Sequence, residues 1–299
     1  MIKTIKIVFL SIIIVVQCAC KSEPVEIKLN LEEGKEYIQN MITTLTAKTL
    51  FSELSGTYNV KMSLLIEKVF DTAYLAKVQY RKVAWNIQTS RYSETFDSES
   101  SDNNDFKLAG YKVFTNTAFN VTLLKNGKAL YIDESETWDK IDSSLTELSL
   151  EQKEEVMKSL KGMAKAFIGN LEKIQSFYPN KSVIKDEKWE LQTESNLYSY
   201  ATTITEYQLL EVKEDYFNIK EISTLSINKM QDVEAQSEIE GQRIFDIIEA
   251  GTSVGEIKID RNTGWIIEAN QQSITTGRSN INNMEVPMEV TKNIKITNQ

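Results

Sequence analysis

The sequence predicts a mainly β protein of the α+β kind, a large curved antiparallel sheet or half-open barrel covered by one long amphipathic helix. Three observations carry that expectation. Stretches rich in Val, Ile, Thr and aromatic residues recur along the 299 residues, separated by polar turn clusters. Two turns containing Asn126-Gly127 and Thr263-Gly264 sit between such stretches. A sustained helical period occurs only over residues 149–178, and a single amphipathic helix among antiparallel strands implies a sheet with one face in need of cover.

At the N-terminus, Lys3 and Lys6 precede an apolar run from Ile7 to Val16 broken only by Ser11, followed by Gln17-Cys18-Ala19-Cys20. A basic start, a short apolar run and a small residue before the cut describe a secretory signal over residues 1–19. The run is shorter than the ~20 residues that span a bilayer. The segment resembles a bacterial lipoprotein signal, whose processed N-terminus is a lipidated cysteine. Cys20 fits that role better than Cys18 because Ala19 is small and Gln17 is not, although Gln17 stands where such signals usually carry an aliphatic residue. Residues 20–29 are then the lipidated N-terminus and a short charged tether. The expected location is the outer membrane, at its periplasmic face or the cell surface. Each buried methylene contributes about 0.8 kcal/mol, so several acyl chains on Cys20 hold the body at the membrane.

Residues 30–299 read as one β-rich domain, with strand-like stretches at 62–69, 73–92, 118–124, 202–212, 216–227, 255–260 and 264–274, and a further stretch at 27–31. Asn126-Gly127 supplies the positive φ of a tight hairpin. Asp260-Arg261-Asn262-Thr263-Gly264 reads as a second hairpin with Gly264 at a bulge-like position. Within 73–92 the apolar phase runs Ala76, Val78, Tyr80 and then Val83, Trp85, Ile87. Such a one-residue slip marks a bulge near Arg81-Lys82 or a flip of faces, and the stretch is long enough to suggest a strongly bent strand or a hidden turn.

The helix opens on a capping box, Ser149 with Gln152. Val156, Leu160, Met163, Phe167, Leu171, Ile174 and Tyr178 form its stripe, and Pro179 ends it. Gly162 and Gly169 share a face, which reads as close packing or a mild bend. The helix joins two stretches, 30–148 and 180–299, that carry a hint of duplication. Gly34-Lys35-Glu36-Tyr37 opens one and Asp186-Glu187-Lys188-Trp189 opens the other, although the intervals that follow differ in length.

The same residues carry a family resemblance. The opening on Gly34 and Tyr37, a helix ending near Pro179, Trp189, and Gly255-x-Ile257-x-Ile259-Asp260-x-x-Thr263-Gly264-Trp265 resemble an uncharacterised family of Bacteroidota lipoproteins, the domain of unknown function 6263. That family usually has a glycine before the second aromatic. This chain has Asp186, which also tolerates a left-handed backbone. The family brings no assigned activity. The architecture it implies is similar to the half-open antiparallel barrels of bacterial lipoprotein and lipid carriers.

The chemistry is bounded by exclusion. A net charge of −9 without a basic cluster argues against nucleic acid. The chain has no histidine and only two cysteines, Cys18 and Cys20 at the end of the N-terminal apolar segment, so histidine-based catalysis, histidine-ligated zinc and disulfide scaffolds fall away. Gly251-Thr252-Ser253-Val254-Gly255 matches the G-x-S-x-G pattern, but without a histidine base it reads as a glycine-flanked turn. The acidic stretch from Asp97 to Asp105 lacks the spacing of a calcium loop and reads as a solvated loop. No catalytic residue, metal or cofactor is expected. Tyr80, Trp85, Met163, Phe167, Trp189 and Trp265 either line a cavity between sheet and helix or fill the core. The expected function is a non-enzymatic, lipid-anchored binding module for a hydrophobic ligand such as a lipid or acyl chain. The alternative is an envelope interaction protein with a filled core.

Overall fold

The structure, a computed structural model, describes residues 23–100, 106–133, 135–175, 177–194, 201–227, 238–239, 242–243, 247–281 and 284–298. The first part of the chain forms β1 (Glu36–Thr49), β2 (Glu53–Val69), β3 (Ala73–Thr89) and β4 (Ser93–Asp97), then helix α1 (Phe106–Thr115), β5 (Ala118–Leu124) and β6 (Ala129–Asp133). Helices α2 (Ser135–Ser144) and α3 (Leu150–Gln175) follow. The second part holds β7 (Lys188–Glu194), β8 (Ala201–Val212), β9 (Tyr216–Ile227), a small β10 (Glu238–Ile239) and β11 (Gln242–Arg243) pair, β12 (Ile247–Asp260), β13 (Ile266–Ile281) and β14 (Met284–Asn298). Twelve strands make one antiparallel sheet ordered β6-β5-β3-β2-β1-β14-β13-β12-β9-β8-β7, with β4 beside β3. Its edges, β6 and β7, do not meet, so the sheet is large and open, as the sequence predicts.

Several local expectations have direct counterparts. Tyr80 pairs with Met62 and Lys82 with Lys61, so Arg81 is the extra residue of a bulge and β3 runs on as a single strand. Gly127 and Gly264 have φ of 86° and 69°, and Asp186 reaches 67°. A Cβ on Gly264 would lie 2.2 Å from the Lys28 carbonyl, so this turn needs glycine for space as well as for φ. In the capping box, Ser149 N donates to Gln152 Oε1 at 3.1 Å and Gln152 N donates to Ser149 Oγ at 3.3 Å.

Other expectations need correction. The segment 27–31 is extended but not a sheet strand. It crosses one end of the sheet with Ile27, Leu29 and Leu31 buried, tied down by Tyr74, whose hydroxyl donates to Leu29 O and accepts from Leu31 N. The G-x-S-x-G segment is not a turn but the middle of β12, flanked by β9 and β13. The last strand escapes the sequence reading because Pro287 interrupts it. Pro287 pairs only with Arg278 of β13, since β1 begins pairing one residue later at Met288, and the missing N–H faces no neighbouring strand. Gly162 is not a packing glycine, because a Cβ there meets nothing within 4 Å. Gly110 is one. A Cβ there would lie 2.2 Å from Val156 Cγ1, so α1 and α3 touch through it.

The two parts of the sheet share a backbone pattern. Gly34 N donates to Ile66 O at 2.8 Å, and Asp186 N donates to Leu209 O at 2.7 Å. The return bonds, Ile66 N to Lys35 O and Leu209 N to Glu187 O, also correspond. The next turns close through Phe70 N to Ala73 O and Lys213 N to Tyr216 O. Lys125 N then reaches Thr72 O as Arg261 N reaches Asp215 O. Superimposing these bonds makes β1, β2, β3, β5 and β6 the counterparts of β7, β8, β9, β12 and β13. The helical layer is broader than the single helix the sequence suggests, with α1 contacting β3 and α3, and α3 contacting β6.

Candidate functional site

Strand alternation decides which side chains face the hollow of the sheet, and cross-strand register sorts them into rows. In the N-terminal half the rows are filled. Tyr80 stacks on Phe114 of α1 at 5.0 Å and meets Phe119 edge-on at 6.1 Å. Trp85 stacks on Phe96 at 4.0 Å beside Tyr111. Trp138 of α2 closes the cluster against Phe119.

In the C-terminal half the same face carries a cavity of about 300 Å³, lined from β1, β14, β13, β12, β9, β8 and β7. One row of the lining is apolar, with Ile257, Ala269, Ile296 and Met41 side by side. The next row holds Tyr207, Glu221 and Gln271, with Gly255 between the last two. Beyond it lies a row of Thr205, Ser223, Ser253 and Ser273. Leu191, Leu225 and Ile294 add apolar surface around these polar groups.

Glu221 is the chemical centre of this face. Only 8% exposed, it accepts from Gln271 Nε2 at 2.6 Å and from Ser223 Oγ at 3.1 Å, both on Oε1. Ser223 Oγ is in turn 2.9 Å from Thr205 Oγ1. Burial pushes the Glu221 carboxyl above its ordinary range, and the two hydrogen bonds oppose that push. Gln271 and Glu221 belong to strands that are not neighbours. The bond spans the strand between them because Gly255 presents no side chain there. A Cβ on Gly255 would sit 2.8 Å from Asn270 O. Tyr207, beside Glu221 in register, has its hydroxyl pushed up by burial and by that carboxyl. Ser253 Oγ is buried and has no hydrogen-bond partner among the described residues.

The aromatic residues singled out from the sequence lie elsewhere. Tyr80, Trp85, Trp189 and Trp265 are all buried. Trp189 Nε1 donates to Phe177 O at 2.8 Å, and Trp265 lies 5.2 Å from Tyr37. None of the four lines the cavity. The side chains of Met163 and Phe167, and all of Cys20, lie outside the described residues. The sequence reading missed Glu221, although a signal exists. In Phe217, Ile219, Glu221, Ser223 and Leu225 a carboxyl and a hydroxyl interrupt an otherwise apolar alternation. Asp97 and Glu99 both pair with Lys82, at 2.9 and 2.6 Å, so these two carboxylates are engaged by an ammonium. Among the described residues no helix is long and apolar enough to cross a membrane.

Comparison with known proteins bears on the fold and the family. The family described as Family of unknown function (DUF6263) matches residues 71–266, more than half of the chain. No curated protein matches the sequence. Among solved structures, a chain described by lipid-protein interactions in lipovitellin is similar in fold, with a TM-score of 0.51 at 10% identity over 90% of this chain. The match spans 25% of the lipovitellin chain. The complex of Pseudomonas aeruginosa MucA and MucB aligns at 7% identity over 87% of this chain and 88% of that one, with a TM-score of 0.12, too low for a shared fold.

Proposed function

The chain belongs to the DUF6263 family, and we propose that it is a non-enzymatic binding module for a hydrophobic ligand such as a lipid or acyl chain, tethered to the outer membrane through acyl chains on Cys20. The observation that carries the reading is the cavity of about 300 Å³ on the concave face of the C-terminal half, while the corresponding face of the N-terminal half is packed with aromatic side chains. Ligand sites are typically concave and mostly apolar, with a few placed polar groups that fix orientation. The arrangement of Ile257, Ala269, Ile296 and Met41 beside Glu221 and Gln271 has that character. The likeness to lipovitellin, a protein described by its lipid interactions, supports the same reading through the shared open sheet.

Native mass spectrometry of the full chain, gently extracted from its host, tests it. A lipid adduct, together with displacement of the neutral dye N-phenyl-1-naphthylamine by lipid, is the expected result. A clean apo mass with no dye binding overturns the ligand reading. The anchor is tested separately: a Cys20→Ala variant should leave the membrane fraction, and unchanged fractionation overturns it. A second reading, an interaction protein of the envelope, draws on Leu50 and Phe51 at the β1–β2 turn, which stand 76% and 77% exposed.

A further inference from the structure

Resting on that ligand reading, we propose that the polar end of the ligand is uncharged and hydroxyl-rich, a glycerol- or sugar-like headgroup, read by a line of hydroxyl side chains crossing the trough. Strand register defines the line. Thr205 lies beside Ser223, Ser223 beside Ser253, Ser253 beside Ser273, and Ser273 beside Lys292. All five line the cavity. Neighbouring strands are about 4.8 Å apart, so the four hydroxyl-bearing residues step across the hollow at that backbone interval, with the Thr205 and Ser223 hydroxyls leaning together to 2.9 Å and one ammonium at the other end.

Each hydroxyl both donates and accepts, which suits polyols better than groups that only accept or only donate. Thr205 and Ser223 already bond to each other, and Ser223 donates onward to Glu221. Ser253, in the middle of the line, is the exception. Its buried Oγ has no partner among the described residues, and a ligand hydroxyl laid along the line would supply one. An acyl chain in the same place would leave it unpaired. In the adjacent row, the carboxyl of Glu221 is held by two neutral groups, Gln271 and Ser223, so an anionic head laid beside Ser223 meets an acid, while the Lys292 ammonium stands three strands away at the far end of the line. Beyond that acid the apolar row accepts the hydrocarbon, which fixes the orientation: tail toward Ile257 and Ala269, head along the hydroxyls.

The test loads purified full-length protein with N-phenyl-1-naphthylamine and displaces the dye at pH 7 with monoolein, dodecyl glucoside, oleate or oleoyl lysophosphatidate. At least one of the two uncharged probes should act at a tenfold or more lower concentration than both anionic ones, and their order separates a glycerol from a sugar head. Ser253→Val should weaken the preferred probe at least fivefold while dye affinity holds. Glu221→Gln should bring oleate closer to the uncharged probes. Equal displacement by all four, a preference for either anion, dye binding with no displacement, or an unchanged Ser253→Val overturns the headgroup proposal. Failure of the dye to bind at all sinks the ligand reading itself and is thereby distinguishable.

Discussion

Matching backbone hydrogen bonds place Tyr74 of the first half opposite Phe217 of the second, Ala76 opposite Ile219, Val78 opposite Glu221 and Tyr80 opposite Ser223. The neighbouring strands continue the comparison, with Leu64 against Tyr207, Met62 against Thr205 and Phe119 against Gly255. Up to Ala76 and Ile219 both halves are apolar and fully buried. Past that level, large apolar side chains in one half correspond to a carboxyl, hydroxyls and a glycine in the other. The same backbone thus supports a solid core where Tyr80 and Phe119 fill the hollow under α1 and α2, and a cavity where Ser223 and Gly255 leave it open. Side-chain volume on the strands, together with the rings that α1 and α2 bring to the first half, separates the two.

The widest separation between the halves should appear when equivalent positions are truncated. Tyr80→Ala removes a fully buried ring stacked on Phe114 and edge-on to Phe119, and should cost about 3–5 kcal/mol, as large aromatic truncations in cores do. Ser223→Ala, at the counterpart position, removes hydrogen bonds to Thr205 and Glu221 but little volume, and should cost about 1 kcal/mol. Urea unfolding of both variants measures the gap. Equal losses would mean that the second half is packed as tightly as the first.

A smaller effect probes how the first half is covered. Gly110→Ala forces a methyl group against Val156 where α1 meets α3, and overpacking of that kind costs about 1–3 kcal/mol. Gly162→Ala is its control on the same helix pair. With nothing within 4 Å of the new Cβ, it should stabilise by about 1 kcal/mol through helix propensity alone. Thermal or urea unfolding should move in opposite directions for these two alanines. Movement in the same direction would show that α3 does not depend on close approach to α1.

What could be read from the sequence follows how local the cause is. The β3 bulge at Arg81 is visible because parity within one strand records it, and the turns at Gly127 and Gly264 are visible because positive φ restricts residue choice. The capping box is equally local. Helices α1 and α2 were not legible, since ten residues give a stripe too short to stand out, and the Gly110 contact with Val156 depends on a partner more than forty positions away. The site was harder still. The row Thr205-Ser223-Ser253-Ser273 unites four strands, and its members look like ordinary strand serines and threonines until register aligns them. The aromatic residues drew attention for their size, yet size is what fills a core. The cavity lies where the side chains are small.

The subtlest difference between the halves is the exchange of Val78 for Glu221, and pH isolates it. Burial raises the folded-state affinity of the Glu221 carboxyl for its proton above the ordinary value of 4.5, while the unfolded chain keeps that ordinary value. The sign follows from linkage. Below pH 4.5 both states hold the proton and the site contributes its full stability. As pH rises through the raised folded value, the unfolded state releases its proton more readily and that contribution is lost. Glu221→Gln keeps an oxygen for Gln271 and Ser223 but cannot ionise, so its advantage over the natural chain should be near zero at pH 4 and grow toward pH 7. Each tenfold gap in proton affinity adds about 1.4 kcal/mol. Carboxylates held below their usual range, such as Glu36 beside Ser63 and Arg81, weaken both proteins equally at low pH and cancel in the difference. Urea midpoints at pH 4, 5.5 and 7 measure the curve. A flat difference would mean that water reaches Glu221 in the hollow, and that the carboxyl behaves as a surface group despite its position opposite a core valine.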